Sequence, residues 1–306
     1  MSEQQPTDHT LLRLIMPQWQ GGNNPPYFLG SKLLNWLAPN AEGIEEEVPV
    51  SLQEEGLKVE QGIFARTDVL KQFHAAQDIL HKNQPTQVVV FGGDCSVELA
   101  PIAYLNEKYD GDMAILWIDS HPDVNVPGHN EGHNSQVLAN LLGVGDEEFV
   151  AGVPKKVERH QVLYVGLNEW QPKEQEIMDT FDLKAISPEQ ILDDSSAVLD
   201  WLNDHKPSRV FIHFDLDVLD LREIRAILPA NPFYYEKMKT QLPRASSLET
   251  IIRVIQDVAN QYEVVGLGIT EHVPWDAYFL QNMLERLPLI GDARKKDQPH
   301  YNWIWS

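Results

Sequence analysis

Short apolar runs alternate with amphipathic stretches along most of this chain. Residues 11–16, 87–91, 114–118, 162–165, 210–214 and 264–269 form runs of four to six residues, rich in branched and aromatic side chains. Nearly unbroken runs of this kind belong to strands covered on both faces. Between them, residues 68–81, 97–108, 136–142, 188–202 and 247–262 carry helical spacing. In 68–81, Val69, Leu70, Phe73, Ala76 and Leu80 share one side, and Thr67 or Asp68 is the expected N-cap. Residues 28–37 read as a shorter helix after a turn-rich stretch at 20–27, which holds Gly21-Gly22 and Pro25-Pro26. The alternation predicts parallel βαβ units in an α/β fold, arranged as one domain over residues 1–306. Residues 222–244 have little periodicity and hold Pro229, Pro232 and Pro243, so they read as a long loop near a site.

Side chains able to do chemistry gather just after five of these strands. They are Gly92-Gly93-Asp94-Cys95, Asp119-Ser120-His121-Pro122-Asp123, Gly166-Leu167-Asn168-Glu169, Asp215-Leu216-Asp217 and Thr270-Glu271-His272. In a parallel sheet that edge is where ligands bind. Extended spacing places residues 119, 121 and 123 on one face, and 215 and 217 on another. A lone Asp-x-Asp at a strand end is commonly only a cap. Four aspartates meeting at neighbouring strand ends repel one another unless cations lie between them. Carboxylates with one or two nitrogen donors suit Mn²⁺, Mg²⁺ or Zn²⁺, so a metal site is expected.

Composition narrows the partners. The formal charge is −22, which argues against nucleic acid and anionic membranes and suits either a cationic substrate or a solvated acidic surface. The single cysteine, Cys95, cannot form an internal disulfide, so no secreted disulfide framework is expected. No basic segment followed by an apolar run opens the chain, and no stretch of about 18 apolar residues occurs. A cytoplasmic location is the simplest expectation.

With these motifs in order, residues 87–275 resemble the ureohydrolases, the family of arginase, agmatinase and formimidoylglutamase. The resemblance rests on Gly92-Gly93-Asp94-Cys95-Ser96, Asp119-Ser-His121-Pro-Asp123, Asp215-Leu-Asp217-Val-Leu-Asp220 and Gly268-Ile-Thr-Glu271. It implies an arginase-like three-layer α/β/α sandwich with a mostly parallel central sheet. It also implies two divalent metal ions, in most relatives Mn²⁺, and a homo-oligomer. By position it places Cys95, Asp119, Asp123 and Asp215 at the first metal, with Asp119 and Asp215 bridging. His121 and Asp217 complete the second. Glu271 lies under the substrate's cationic group, Asn125 contacts substrate, and His133 stands where arginases carry a proton-shuttling histidine. The implied activity is hydrolysis of a C–N bond in a guanidino or related amidine compound, by attack of metal-activated hydroxide.

Several positions depart from the family pattern. Cys95 replaces the first metal's histidine; it is either a ligand or a small buried apolar residue. An arginase-like hydrolase of Nω-hydroxyarginine is similar in having cysteine there. His213 stands where the family has a small residue, and is either an outer hydrogen-bonding group or a satisfied core histidine. The acidic specificity motif after residues 162–165 is replaced by Glu169-Trp170-Gln171, and Phe233-Tyr234-Tyr235 follows Asp220 in place of a glycine-rich stretch. Arginine itself is therefore not assured as substrate. The alternatives are a formimino- or Nω-hydroxyguanidino-compound hydrolase, or a non-catalytic arginase-like binding protein.

Overall fold

The computed structural model describes residues 10–291. Its strands are β1 (Leu11–Met16), β2 (Ile44–Glu47), β3 (Val59–Glu60), β4 (Ile63–Phe64), β5 (Gln87–Gly92), β6 (Ala114–Ile118), β7 (Val162–Val165), β8 (Lys184–Ile186), β9 (Arg209–Asp215) and β10 (Glu263–Thr270). Its helices are α1 (Pro26–Leu37), α2 (Arg66–Asn83), α3 (Leu99–Lys108), α4 (Val137–Leu142), α5 (Glu147–Ala151), α6 (Pro172–Phe181), α7 (Ser196–His205), α8 (Tyr235–Gln241), α9 (Leu248–Ala259) and α10 (Trp275–Glu285). Eight strands form one sheet in the order β2-β1-β5-β10-β9-β6-β7-β8, and β3 and β4 form a separate small hairpin. Every pairing in the large sheet is parallel.

The six strands predicted from apolar runs are present: β1, β6 and β7 have the predicted bounds, and β5, β9 and β10 extend by a residue at one or both ends. Burial on both faces explains their unbroken composition. The edge strands β2 and β8 are short and carry no such run. In β6, Ile115 and Trp117 face a core that holds Phe73, Leu80, Leu105 and Phe149. Ala114, Leu116 and Ile118 face the opposite core, with Val198, Leu202, Ile251, Val254 and Val258 from α7 and α9. Helices thus cover both faces of the sheet, which is the three-layer arrangement.

Three local expectations are corrected. The helix expected at 188–202 is a 3₁₀ turn at Pro188–Ile191 followed, after a break, by α7. The helix expected at 68–81 starts earlier, after Ala65 in the left-handed region, with no side-chain cap. Thr67 lies inside it, and its hydroxyl and backbone N–H both donate to Glu60. The region 222–244 is not a structureless loop: it contains a short 3₁₀ turn at Leu228–Ala230 and α8. Leu221, Ile227, Ala230 and Met238 give that region a small core of its own.

Candidate metal centre

The central strands β5, β10, β9 and β6 lie side by side, so their C-terminal ends open onto one spot. After β5 the chain turns at Gly93, where any side chain would sit 1.7 Å from the Gln18 carbonyl oxygen. Asp94 then accepts hydrogen bonds from Ser96 N (2.9 Å), Gly22 N (3.1 Å) and Gln18 Nε2 (3.0 Å). Its role is to pin this turn, which leaves Cys95 buried with its thiol facing the strand ends. The Cys95 thiol donates to Asp215 Oδ2 at 2.9 Å and lies 3.7 Å from Glu271 Oε1.

The aspartate motifs converge by turns and not by strand alternation. Asp119 Oδ1 accepts from the His121 backbone N–H (2.7 Å), and Asp215 Oδ1 accepts from the Asp217 N–H (2.8 Å). Residues 216–218 form a 3₁₀ turn. Asp123 has a φ of 47° and Glu271 a φ of 61°. Non-glycine residues in that region carry strain that persists where the surroundings fix it, commonly at functional sites. His121 Nδ1 lies 3.0 Å from Asp217 Oδ2 and 3.5 Å from Asp119 Oδ1. Glu271 is held from two sides, by the Tyr27 hydroxyl (2.5 Å) and by Asn134 Nδ2 (3.0 Å).

Three overlapping donor groups result: Cys95, Asp119, Asp123 and His213; Cys95, Asp215 and Glu271; and Asp119, His121 and Asp217. Within each, the donor atoms lie within 4.8 Å of one another. Burial, and repulsion from Asp119, pushes the Asp123 carboxyl well above the usual range. Burial does the same for Asp215, with Asp217 and Glu271 adding to it, and drives Glu271 up to about 8. Asp123 Oδ2 and Asp217 Oδ1 are buried atoms that accept no hydrogen bond. Converging carboxylates with orphaned oxygens, one thiol and imidazole nitrogens make a donor set that fits divalent cations.

Cys95, His121, Asp123, Asp215, Asp217 and Glu271 line a cleft of about 330 Å³. Its lining also includes Asn125, Asn130 and Asn134, the segment Glu169, Trp170, Gln171 and Glu174, and Leu228, Pro229, Tyr234, Met238 and Leu242. Asn125 donates to the buried Glu174 at 2.7 Å. The lining carries no lysine or arginine.

Of the residues singled out from sequence, Cys95, Asp119, His121, Asp123, Asn125, Asp215, Asp217 and Glu271 are brought together here. His133 is not. It is 1% exposed, its ring packs 4.0 Å from that of Phe149, and its Nε2 pairs with Asn140 Nδ2 at 3.0 Å. The cleft is lined instead by its neighbours Asn134 and Ser135, because residues 133–136 form a 3₁₀ turn that sends the imidazole inward. Trp170 and Tyr234 reach the cleft, whereas Phe233 is 63% exposed and does not line it. Sequence reading missed Tyr27, Asn134 and Met238. Tyr27 lies 244 positions from Glu271, and no local pattern marks that contact.

The fold and this centre define an α/β protein that gathers carboxylates, a thiol and imidazole at the C-terminal edge of a parallel sheet. The chain belongs to the arginase family, whose sequence model matches residues 44–227. It is 24% identical to arginase of Eremothecium gossypii over 198 residues, covering 61% of this chain and 46% of the relative. It is 23% identical to arginase of Entamoeba histolytica, covering 61% of this chain and 62% of the relative. The match thus spans about half to three-fifths of those relatives. The crystal structure of the Entamoeba histolytica arginase in complex with L-ornithine superposes with a TM-score of 0.74 at 18% identity, over 87% of this chain and 92% of that one. Formimidoylglutamase of Bacillus subtilis superposes with a TM-score of 0.63 at 15% identity, over 88% and 81%. Structural likeness at these identities establishes the arginase-like fold. Among the described residues no helix is long and apolar enough to cross a membrane.

Proposed function

We propose that this chain is a two-metal hydrolase that cleaves a C–N bond of a guanidino or related amidine compound. The observation that carries this reading is the convergence of Cys95, His121, Asp123, Asp215, Asp217 and Glu271 on one cleft, with the buried Asp119 among their donor atoms. Cys95, Asp123, Asp119 and Asp215 would hold the first ion. His121 and Asp217, with Asp119 and Asp215, would hold the second. Two divalent ions held there would supply Lewis-acid activation of water.

The chain's own groups do the rest. Tyr27 and Asn134 fix the Glu271 carboxylate at the cleft floor. So oriented, Glu271 accepts charge-assisted hydrogen bonds from the substrate's cationic nitrogens and sets its central carbon over the floor. The apolar wall of Leu228, Pro229, Met238 and Leu242 takes a hydrocarbon tail and excludes water. With Glu169 and Glu174 in the lining and no lysine or arginine, a neutral or cationic tail is favoured over a carboxylate. His133, buried behind the cleft, is assigned no contact with substrate. A second reading, hydrolysis of an Nω-hydroxyguanidino compound, draws on Cys95 at the first metal position.

The test is a panel of guanidino, Nω-hydroxyguanidino and formimino compounds given to the reconstituted protein, with urea, hydroxyurea, formamide and ammonia monitored. At least one should be released above the background of a metal-stripped control. A fully metallated protein that releases none of them would make this a binding protein.

A further inference from the structure

We infer that His213 is a metal ligand, restoring at the first position the imidazole that Cys95 displaces, with Glu98 as the carboxylate that orients it. The inference rests on the metal-centre reading above and gives its first position a specific donor set.

His213 is fully buried near the end of β9. In the sheet it pairs with Trp117 of β6 on one side and Gly268 of β10 on the other. Each neighbour has a part. The Trp117 ring stacks on the imidazole at 3.7 Å between centroids and 19° between planes, which fixes the ring plane. Gly268 gives room for Glu98, since a side chain there would sit 1.7 Å from Glu98 Oε1. Glu98 Oε2 in turn lies 2.9 Å from His213 Nδ1. With Nδ1–H donating to that carboxylate, the lone pair is left on Nε2.

His213 Nε2 faces the centre. It shares a 4.8 Å cluster with the donor atoms of Cys95, Asp119 and Asp123. In that cluster Asp123 Oδ2 is buried and has no hydrogen-bond partner. The contact from Nε2 to Asp119 Oδ2 is 3.3 Å, longer than the bond on the other nitrogen. Asp119 Oδ2 already accepts from the Trp117 indole N–H at 3.1 Å, so it does not depend on His213 for a donor. A cation among the four donors would give Asp123 a partner and would take the place of the long contact between Nε2 and Asp119. The carboxylate–histidine–metal arrangement is the common way to fix a ligating imidazole.

The chemical consequence is a difference between the two positions. With Asp215, which touches the Cys95 thiol, the first position offers one sulfur, one nitrogen and three carboxylate oxygens, and the sulfur and nitrogen shift its preference towards Zn²⁺, Co²⁺ or Fe²⁺ relative to Mn²⁺. The second position, with His121 and aspartates, has no sulfur and stays hard.

The experiment uses the full chain, stripped of metal, labelled with ¹⁵N-histidine and loaded with ¹¹³Cd²⁺. Cadmium–nitrogen couplings to two histidines are expected at two equivalents, and the one lost in His213→Gln is the first to appear on titration. His213→Gln should also weaken binding of the first Zn²⁺ by at least about 100-fold, and Glu98→Gln by about 10- to 100-fold. Cadmium bound with coupling to His121 alone would overturn the inference, leave the metal-centre reading standing, and make His213 an ion-pair partner of Glu98 and Asp119. Wild-type protein that retains no ion would overturn that reading as well. The coupling measurement is made on unmutated protein, so it decides the matter even where a variant does not fold.

Discussion

The floor and the outer wall of the cleft are built by different means. On the floor, each side chain able to hold a metal lies within a few residues of the end of β5, β6, β9 or β10, and hydrogen bonds to or from the backbone hold the turns. Asp94 caps the Cys95 turn, Asp119 receives the His121 N–H, Asp215 receives the Asp217 N–H, and the Glu271 N–H donates to the Gly93 carbonyl. The wall comes from residues 169–174 and 228–242, where short helices and turns present Trp170, Tyr234, Met238 and Leu242. The strand ends and the turns that follow them therefore place the donor side chains, while the connections shape the rest of the cleft and can vary without disturbing them.

Substitutions can sharpen or break that contrast. The largest effect is expected for Asp119→Asn, which removes a carboxylate common to two of the donor groups. Bound metal should be lost and turnover should fall by more than about 10³-fold, since the ions supply several kcal/mol of stabilisation. Elemental analysis with initial rates checks it, and two retained ions with normal turnover would break the assignment of the floor. Glu271→Gln should keep both ions but lower kcat/KM by about 10- to 100-fold, the loss of one charge-assisted hydrogen bond of about 1.5–3 kcal/mol. On the wall, Met238→Ala should raise KM by about tenfold or less with kcat held. A fall in kcat without a change in KM would mean that the wall takes part in the chemistry.

His133 should show the smallest effect on turnover and a distinct effect on stability. Burial holds its pKa down to about 3. Below about 6.5 the unfolded chain binds a proton that the folded chain refuses. The stability is therefore full above that pH and is lost as pH falls towards 3, by about 2 kcal/mol at pH 5. Urea midpoints at pH 7.5 and pH 5 should converge in His133→Gln relative to wild type, with kcat nearly unchanged. A large loss of kcat with unaltered stability would return His133 to the catalytic apparatus.

The same contrast explains what was legible in the sequence. Strands buried on both faces announce themselves as unbroken apolar runs, so the central sheet and the residues after each strand can be read directly. Their convergence does not follow from extended alternation: the His121 N–H folds back onto Asp119, and Asp123 has a left-handed backbone. Tyr27, Asn134 and Met238 reach the cleft by tertiary contact, and nothing local distinguishes them from packing residues. His133 shows the reverse problem. Its position matched a family motif, but a 3₁₀ turn of four residues rotates the ring into the core against Phe149. His213 stands out in the sequence as a histidine at a position where the family has a small residue; its pairing with Glu98 spans 115 positions and emerges only in three dimensions.

Metal stoichiometry tests the central claim most directly. The purified chain, stripped and then dialysed against Mn²⁺ and Zn²⁺ together, should retain two divalent ions per chain by elemental analysis. Fewer than one ion per chain, in protein that is folded by circular dichroism, would contradict the account.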